Sequence, residues 1–146
     1  MTEFLDLHGQ LNKVVRALAD GAMQQHGLHL GQDHLLSQLW ARDGQTPGEL
    51  AAAGGVSTPA VVKMADRMSA AGLLTRARDQ KDNRLVRLWL TDKGRSLQTP
   101  IENARRELDD ALTADLRPEQ KDLLMGALKT VYVTALGLHN ADRRDA

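Results

Sequence analysis

Apolar residues recur at three- and four-residue intervals at both ends of this 146-residue chain. Phe4, Leu7, Leu11, Val14, Leu18 and Met23 mark residues 3 to 24 as an amphipathic helix with one face to bury. After the break from Gly27 to Gly31, QDHLLSQLWARD predicts a second helix with Leu35, Leu36, Leu39 and Trp40 inward, closed by an Asp43-Gly44 turn. TPGELAAAGG follows. Thr46 can cap a very short helix, Pro47 suits its first position, and Glu49, three residues after the cap, completes a capping box that Gly54 and Gly55 end. VSTPAVVKMADRMSAAG then starts with Ser57 or Thr58 as cap and buries Val61, Met64, Ala65 and Met68 before stopping at Gly72. Two short capped helices across a tight glycine turn are a helix-turn-helix signature.

Strand character comes next. LLTRAR and RLVRLWLT flank the polar tip QKDN, with Val86, Leu88 and Leu90 on one face and Leu85, Arg87 and Trp89 on the other, which predicts a hairpin against the helices. Trp89, on the outer face, is expected to cover the recognition helix or pack on a neighbouring element. Residues 95 to 114 and 118 to 139 read as two further helices, and the closing ADRRDA as a frayed tail. The fold class is therefore mainly α with a small β-hairpin wing. Residues 31–94 form a winged helix-turn-helix lobe, and 1–30 with 95–146 a helical dimerisation region. The long terminal stripes most simply bury against a second copy of the chain in a two-fold dimer; the rival is a monomer whose C-terminal helices fold back on the lobe.

Composition narrows the function. Hydrophobic residues at 42% and charged ones at 26% suit a water-soluble domain, and no apolar run approaches the roughly 20 residues of a membrane span. The acidic start MTEFLDLHGQL lacks the regions of a signal peptide, so a cytoplasmic location is expected. The absence of cysteine excludes disulfides and thiol-based sensing within the chain. Net charge is zero, yet residues 46 to 95 carry nine Lys and Arg against five acids. A basic segment on an acidic remainder points to a polyanion-binding module. No nucleophile elbow, phosphate-binding glycine loop or convergent carboxylate pair supports catalysis.

The run GELAAAGGVSTPAVVKMADRMSAAGLLTRARDQKDNRLVRLWLTDKG resembles the winged helix-turn-helix of the MarR family of bacterial transcriptional regulators. The resemblance covers residues 46 to 95 and rests on Asp66-Arg67, Ala71-Gly72-Leu73-Leu74, Arg76, the Asp82-x-Arg84 wing tip and the Leu90-Thr91-x-x-Gly94 exit. It implies a homodimer whose two wings straddle duplex DNA, and an affinity tuned by a small ligand lodged between the dimerisation helices and the DNA-binding lobes. The remaining classes are a ligand-independent architectural DNA binder, a winged helix turned to protein contacts and a metal-sensing regulator.

Physical reasoning assigns contacts within that frame. A recognition helix enters the major groove with its first turns, so Ser57, Thr58, Pro59, Val62 and Lys63, opposite the buried face, should meet DNA. Only Lys63 can read a guanine edge or a phosphate, while Val62 and the Thr58 methyl suit thymine methyl groups. Specificity then leans on the wing: Arg84 can enter a narrow minor groove with Asp82 holding its guanidinium extended. Arg67, Arg76, Arg78, Lys81 and Arg87 are better placed for phosphates. Asp66 could instead bridge to Arg67 or another neighbour, and Arg76 to Asp82 or Asp92. His26, His29 and His34 with Asp33 could be drafted as metal ligands, and some members of the family sense zinc at this second helix. The further ligands expected from helices one and five are not evident, so no metal or other cofactor is assigned. An organic carboxylate is the preferred effector, held by Arg16 with His8 and His34 between the first two helices and the fifth.

Overall fold

The computed structural model describes residues 3–29 and 31–145. Its elements are α1 (Glu3–Gln24), α2 (Gln32–Ala41), α3 (Pro47–Gly54), α4 (Thr58–Ala70), β1 (Leu74–Arg78), β2 (Val86–Leu90), α5 (Asp92–Ser96), α6 (Gln98–Leu112) and α7 (Pro118–Asp145). This is the expected winged helix-turn-helix with flanking helices. No described helix is long and apolar enough to cross a membrane. The chain forms two compact units, Met1–Leu108 and Asp109–Ala146.

Local chemistry explains the short helices. Thr46 Oγ1 accepts from the Glu49 N–H at 3.2 Å and Glu49 Oε2 accepts from the Thr46 N–H at 2.9 Å, so α3 starts on a reciprocal capping box. It ends at Gly55, whose φ of 64° suits a residue without a Cβ. Ser57 caps α4 by accepting from the Ala60 N–H at 3.2 Å. The α4 face of Val61, Ala65 and Met68 is buried with Leu35, Leu36, Leu39, Leu50, Leu74, Leu88 and Ile101, while Met64 packs half-buried against that core. Each fully buried Leu or Ile there contributes about 1.5 to 3 kcal/mol.

β1 and β2 pair antiparallel, with Leu74 opposite Leu90 and Arg78 opposite Val86. The expected faces hold for Leu88 and Leu90, which are buried, and Trp89 lies outward. Its ring covers the turn at Gly44, where φ is +71° and any Cβ would strike the indole. Trp89 therefore packs on the loop before α3, a neighbouring element. An isolated bridge from Gln45 to Leu88 attaches that same loop to the hairpin, the Leu88 N–H donating to Gln45 O at 2.8 Å.

Two expectations need correction. The helix drawn over 95 to 114 is two helices, because Pro100 has no N–H to offer the Ser96 carbonyl and its ring crowds that position. The first of them begins at Asp92 on a Thr91 cap, so Gly94 lies inside α5. Residues 141 to 145, read as a frayed tail, continue α7, with Arg143 and Arg144 in its last turn where cations complement the carbonyl end; Ala146 lies outside the described residues. The α1 stripe reaches the core of its unit only at its C-terminal end, as expected of a face that needs a second copy to cover it. Phe4, Leu7, Leu11, Val14 and Leu18 are 47% to 64% exposed and only Met23 is buried.

Gly94 is the tightest point of the fold, since an added Cβ would collide with the Leu73 carbonyl oxygen. Gly94→Ala is expected to lower stability by about 3 kcal/mol in urea unfolding through forced backbone displacement. A loss within about 0.5 kcal/mol, the range of ordinary surface changes, would show that the close approach is not rigid.

Candidate nucleic-acid interface

The first turns of α4 present the expected side chains outward. Ser57, Thr58, Pro59, Val62 and Lys63 are exposed, on the opposite side from Val61, Ala65 and Met68. The Ser57 oxygen accepts the cap hydrogen bond, which leaves its hydroxyl proton free to donate. Val62 also borders a small cavity of about 190 Å³ shared with Pro47, Ala65, Arg76, Val86 and Leu88, so part of its surface belongs to the seam with the hairpin.

At the wing tip, the Arg84 guanidinium donates to both Asp82 oxygens, from Nε at 3.1 Å and Nη2 at 3.3 Å. The Asp82 side chain also accepts from the Arg84 N–H at 3.1 Å, and these bonds hold its carboxyl below the usual carboxylate range. Arg84 is 90% exposed despite this grip. The pair is a presented cation with an orienting acid, the arrangement expected of Asp82-x-Arg84.

Asp79 was missed. Its Oδ1 accepts from the Lys81 and Asp82 N–H groups at 2.7 and 3.2 Å, and its Oδ2 accepts from Arg87 Nε at 2.6 Å. Arg87, followed by those two N–H groups, pulls the Asp79 pKa down to about 2. The available signal was its place at the head of the polar tip, where an Asp side chain commonly bonds the backbone two residues on.

Pairing sorts the basic residues of this segment. Arg76, expected at phosphate or at Asp82 or Asp92, is bound to Asp66 and braces α4 against β1. Arg87, also expected at phosphate, turns instead into a structural cluster: it binds Asp79, donates to Gly44 O at 2.9 Å and lies 3.8 Å from Glu49. Arg95 pairs with Asp92 and Asp43, and Lys93 donates to Ala71 O. Among the described residues, Lys63, Arg67, Arg78 and Lys81 have no acidic partner within 4.0 Å. Arg78 donates across the hairpin to Asn83 O at 2.8 Å, which sets its direction without neutralising it.

The expected effector residues are not brought together. His8 stacks on Phe4 and Arg16 lies exposed, both on α1, whereas His34 borders a cavity of about 410 Å³ between α2, α3 and α4. That cavity is lined by Leu35, Gln38, Leu50, Val61 and Met64 as well as His34, and by no residue of α1. Asp33 is committed elsewhere, accepting from Arg105 of α6 at 3.3 Å. Among the described residues no three His, Asp or Glu side chains converge as metal ligands.

Comparison with known proteins agrees with this geometry. The MarR family model matches residues 28–86. The chain is 27% identical over 112 residues to the HTH-type transcriptional regulator BilQ of Clostridium symbiosum, covering 77% of this chain and 78% of that protein. It is 33% identical over 76 residues to the HTH-type transcriptional regulator TtmR of Methylorubrum extorquens, covering 52% of this chain and 39% of TtmR. Among solved structures, a MarR transcriptional regulator from Methanosarcina mazei Go1 superposes with a TM-score of 0.81 at 21% identity, over 94% of this chain and 99% of its own. A mutant MarR from E. coli, solved in complex with operator DNA, gives 0.75 at 24% identity over 86% and 91%.

Asp79 makes the wing sensitive to acid. Its folded pKa of about 2 lies below the usual 3.8, so its stabilising bonds are complete above the usual value and are lost as pH falls through about 2. Wing amides such as Lys81 and Asp82 should shift together in NMR spectra over that window, and Asp79→Asn should abolish the transition. Titration of the Asp79 carboxyl near 4 would show that the cluster does not form in solution.

Proposed function

We propose that this chain is a transcriptional regulator of the MarR family, not an enzyme, that acts in the cytoplasm as a homodimeric repressor on a pseudo-palindromic duplex site. The observation that carries this reading is where the unpaired charge lies. Lys63 and Arg67 on α4 and Arg78 and Lys81 on the wing keep their full charge for phosphate, while Arg84 projects from the tip with Asp82 behind it. Ser57, Thr58, Pro59 and Val62 then lie in the major groove with Lys63, and Arg84 enters the adjacent minor groove.

The dimer rests on exposed apolar surface. Phe4, Leu7, Leu11, Val14 and Leu18 of α1 stay uncovered, and α7 buries no residue along its 28 positions despite carrying Leu123, Leu128, Val131 and Leu138. Surfaces of this extent mark interaction sites. A second copy covers them in a two-fold arrangement that sets half-site centres roughly 34 to 36 Å apart. A dimer seated over a promoter excludes polymerase, which is repression.

Modulation by a small organic carboxylate fits the cavity between α2, α3 and α4, whose filling would shift α4 relative to α2. His34 at its rim is the effector donor within reach. Arg16 and His8 bear on an effector only through a second binding surface on α1.

Operator binding tests the DNA assignment. Arg84→Ala is expected to weaken binding by about 1 to 3 kcal/mol and relax preference for A·T-rich flanks, and Lys63→Ala to cost a similar amount. Arg78→Ala and Lys81→Ala should weaken binding to all sequences and flatten the salt dependence. Unchanged affinity of the Arg84 variant at fixed salt would reduce the wing to a turn.

For the effector, aromatic acids titrated against the operator complex should release DNA, with Arg16→Ala and His34→Ala compared to the parent protein. Sensitivity lost in only one variant locates the carboxylate. No release by any anion would reject the ligand class.

A further inference from the structure

We infer that Arg87 is a positioning residue for DNA readout: without touching DNA, it sets the pitch of the wing and thereby the depth to which Arg84 reaches the minor groove. The inference rests on the DNA-binding role proposed above for the wing.

A two-stranded hairpin is marginal by itself, and its tip is free to pivot unless something beyond the strand pairing holds it. Here Arg76 braces the hairpin against α4 and the Gln45–Leu88 bridge ties its middle to the loop before α3, while the guanidinium of Arg87 links the tip to that loop. Arg87 lies mid-strand in β2, opposite Ala77, and its side chain is 29% exposed. It bonds the wing tip through Asp79 Oδ2 at 2.6 Å and the turn before α3 through Gly44 O at 2.9 Å. It also lies 3.8 Å from Glu49, the acid that completes the α3 capping box. The far side of Asp79 holds the Asp82 N–H, and Asp82 grips Arg84. A continuous line of charged hydrogen bonds thus runs from the helix-turn-helix to the presented arginine, with Arg87 as the junction.

Both groups that Arg87 meets on the helix-turn-helix side are stiff. Gly44 is pinned under the Trp89 ring, and Glu49 is committed to the Thr46 N–H at 2.9 Å. A planar guanidinium with fixed donor directions transmits this stiffness, whereas an ammonium keeps the charge and loses the simultaneous geometry. Since minor-groove width is read by how an inserted arginine fits, a wing free to tilt would still bind phosphate but would stop discriminating flank sequence.

The test uses the full-length protein and operators that differ either in flanking A·T or G·C steps or in the major-groove core, at one salt concentration. Arg87→Gln should lower the preference for A·T over G·C flanks about five-fold while leaving core preference intact, and Arg87→Lys should fall between it and the parent. In an Arg84→Ala background, Arg87→Gln should change the flank ratio no further, because the two act as one device. Thermal melting confirms folding, and if the Gln variant does not fold, the Lys variant carries the comparison. An unchanged flank ratio, an equal fall on flank and core, or a full further loss in the Arg84→Ala background would each overturn the inference. If the parent protein shows no flank preference and Arg84→Ala leaves affinity unchanged, the DNA role of the wing itself has failed, a result visible before any Arg87 variant is made.

Discussion

The lobe depends on one close approach, where the end of α4 and the end of the wing share a few ångströms of backbone. Gly94 sits against the Leu73 carbonyl with no room for a Cβ. Around that point the Thr91 N–H donates to Leu73 O at 3.2 Å, Thr91 Oγ1 to Gly72 O at 2.6 Å and Lys93 Nζ to Ala71 O at 2.9 Å. From the other side Trp40 Nε1 of α2 donates to Gly94 O at 3.0 Å. The entry to β1, the exit of β2 and the scaffold helix α2 are therefore fastened together. A helix and a hairpin meant to engage one surface must keep a fixed mutual angle, and this clamp supplies it at the base.

Much of the fold was legible because its signals are local. Thr46-Pro47-x-Glu49 and Ser57-x-Pro59 announce helix starts through hydrogen bonds between near neighbours, and the alternation in residues 85 to 90 announces a strand through its own period. The Asp82-Arg84 pair belongs with them, since two residues apart on a tight tip can hardly avoid each other. Pro100 is an equally local signal, since its missing N–H divides α5 from α6.

What stayed hidden depends on partners distant in sequence. Arg76 meets Asp66 and Arg87 meets Gly44 and Glu49 only once α3, α4 and the hairpin are assembled. Sequence reasoning divided the basic residues among base, minor-groove and phosphate contacts, yet the fold turns Arg76, Arg87 and Arg95 to bracing. The α1 stripe shows the same limit. Periodicity says that a face will be buried without saying against what, and among the described residues of this unit Phe4, Leu7, Leu11, Val14 and Leu18 stay largely exposed.

This sorting explains how a chain of zero net charge can carry a polyanion-binding surface. Acids near the proposed interface are turned to internal duties: Asp66 on Arg76, Asp79 on Arg87 and the turn backbone, Asp82 on Arg84. Each neutralises a cation that is structural or must be aimed, and leaves Lys63, Arg67, Arg78 and Lys81 unopposed at short range. At distances beyond roughly 8 to 10 Å, physiological salt screens both signs and the neutral chain attracts DNA weakly. On the proposed function, binding would depend on the few charges that make contact, and non-specific association, which grows with the number of phosphates neutralised, would stay small. With so few cations, discrimination by the proposed interface would rest on how accurately each one is held, and under that proposal the acids and Arg87 would count for as much as the groups that touch the duplex.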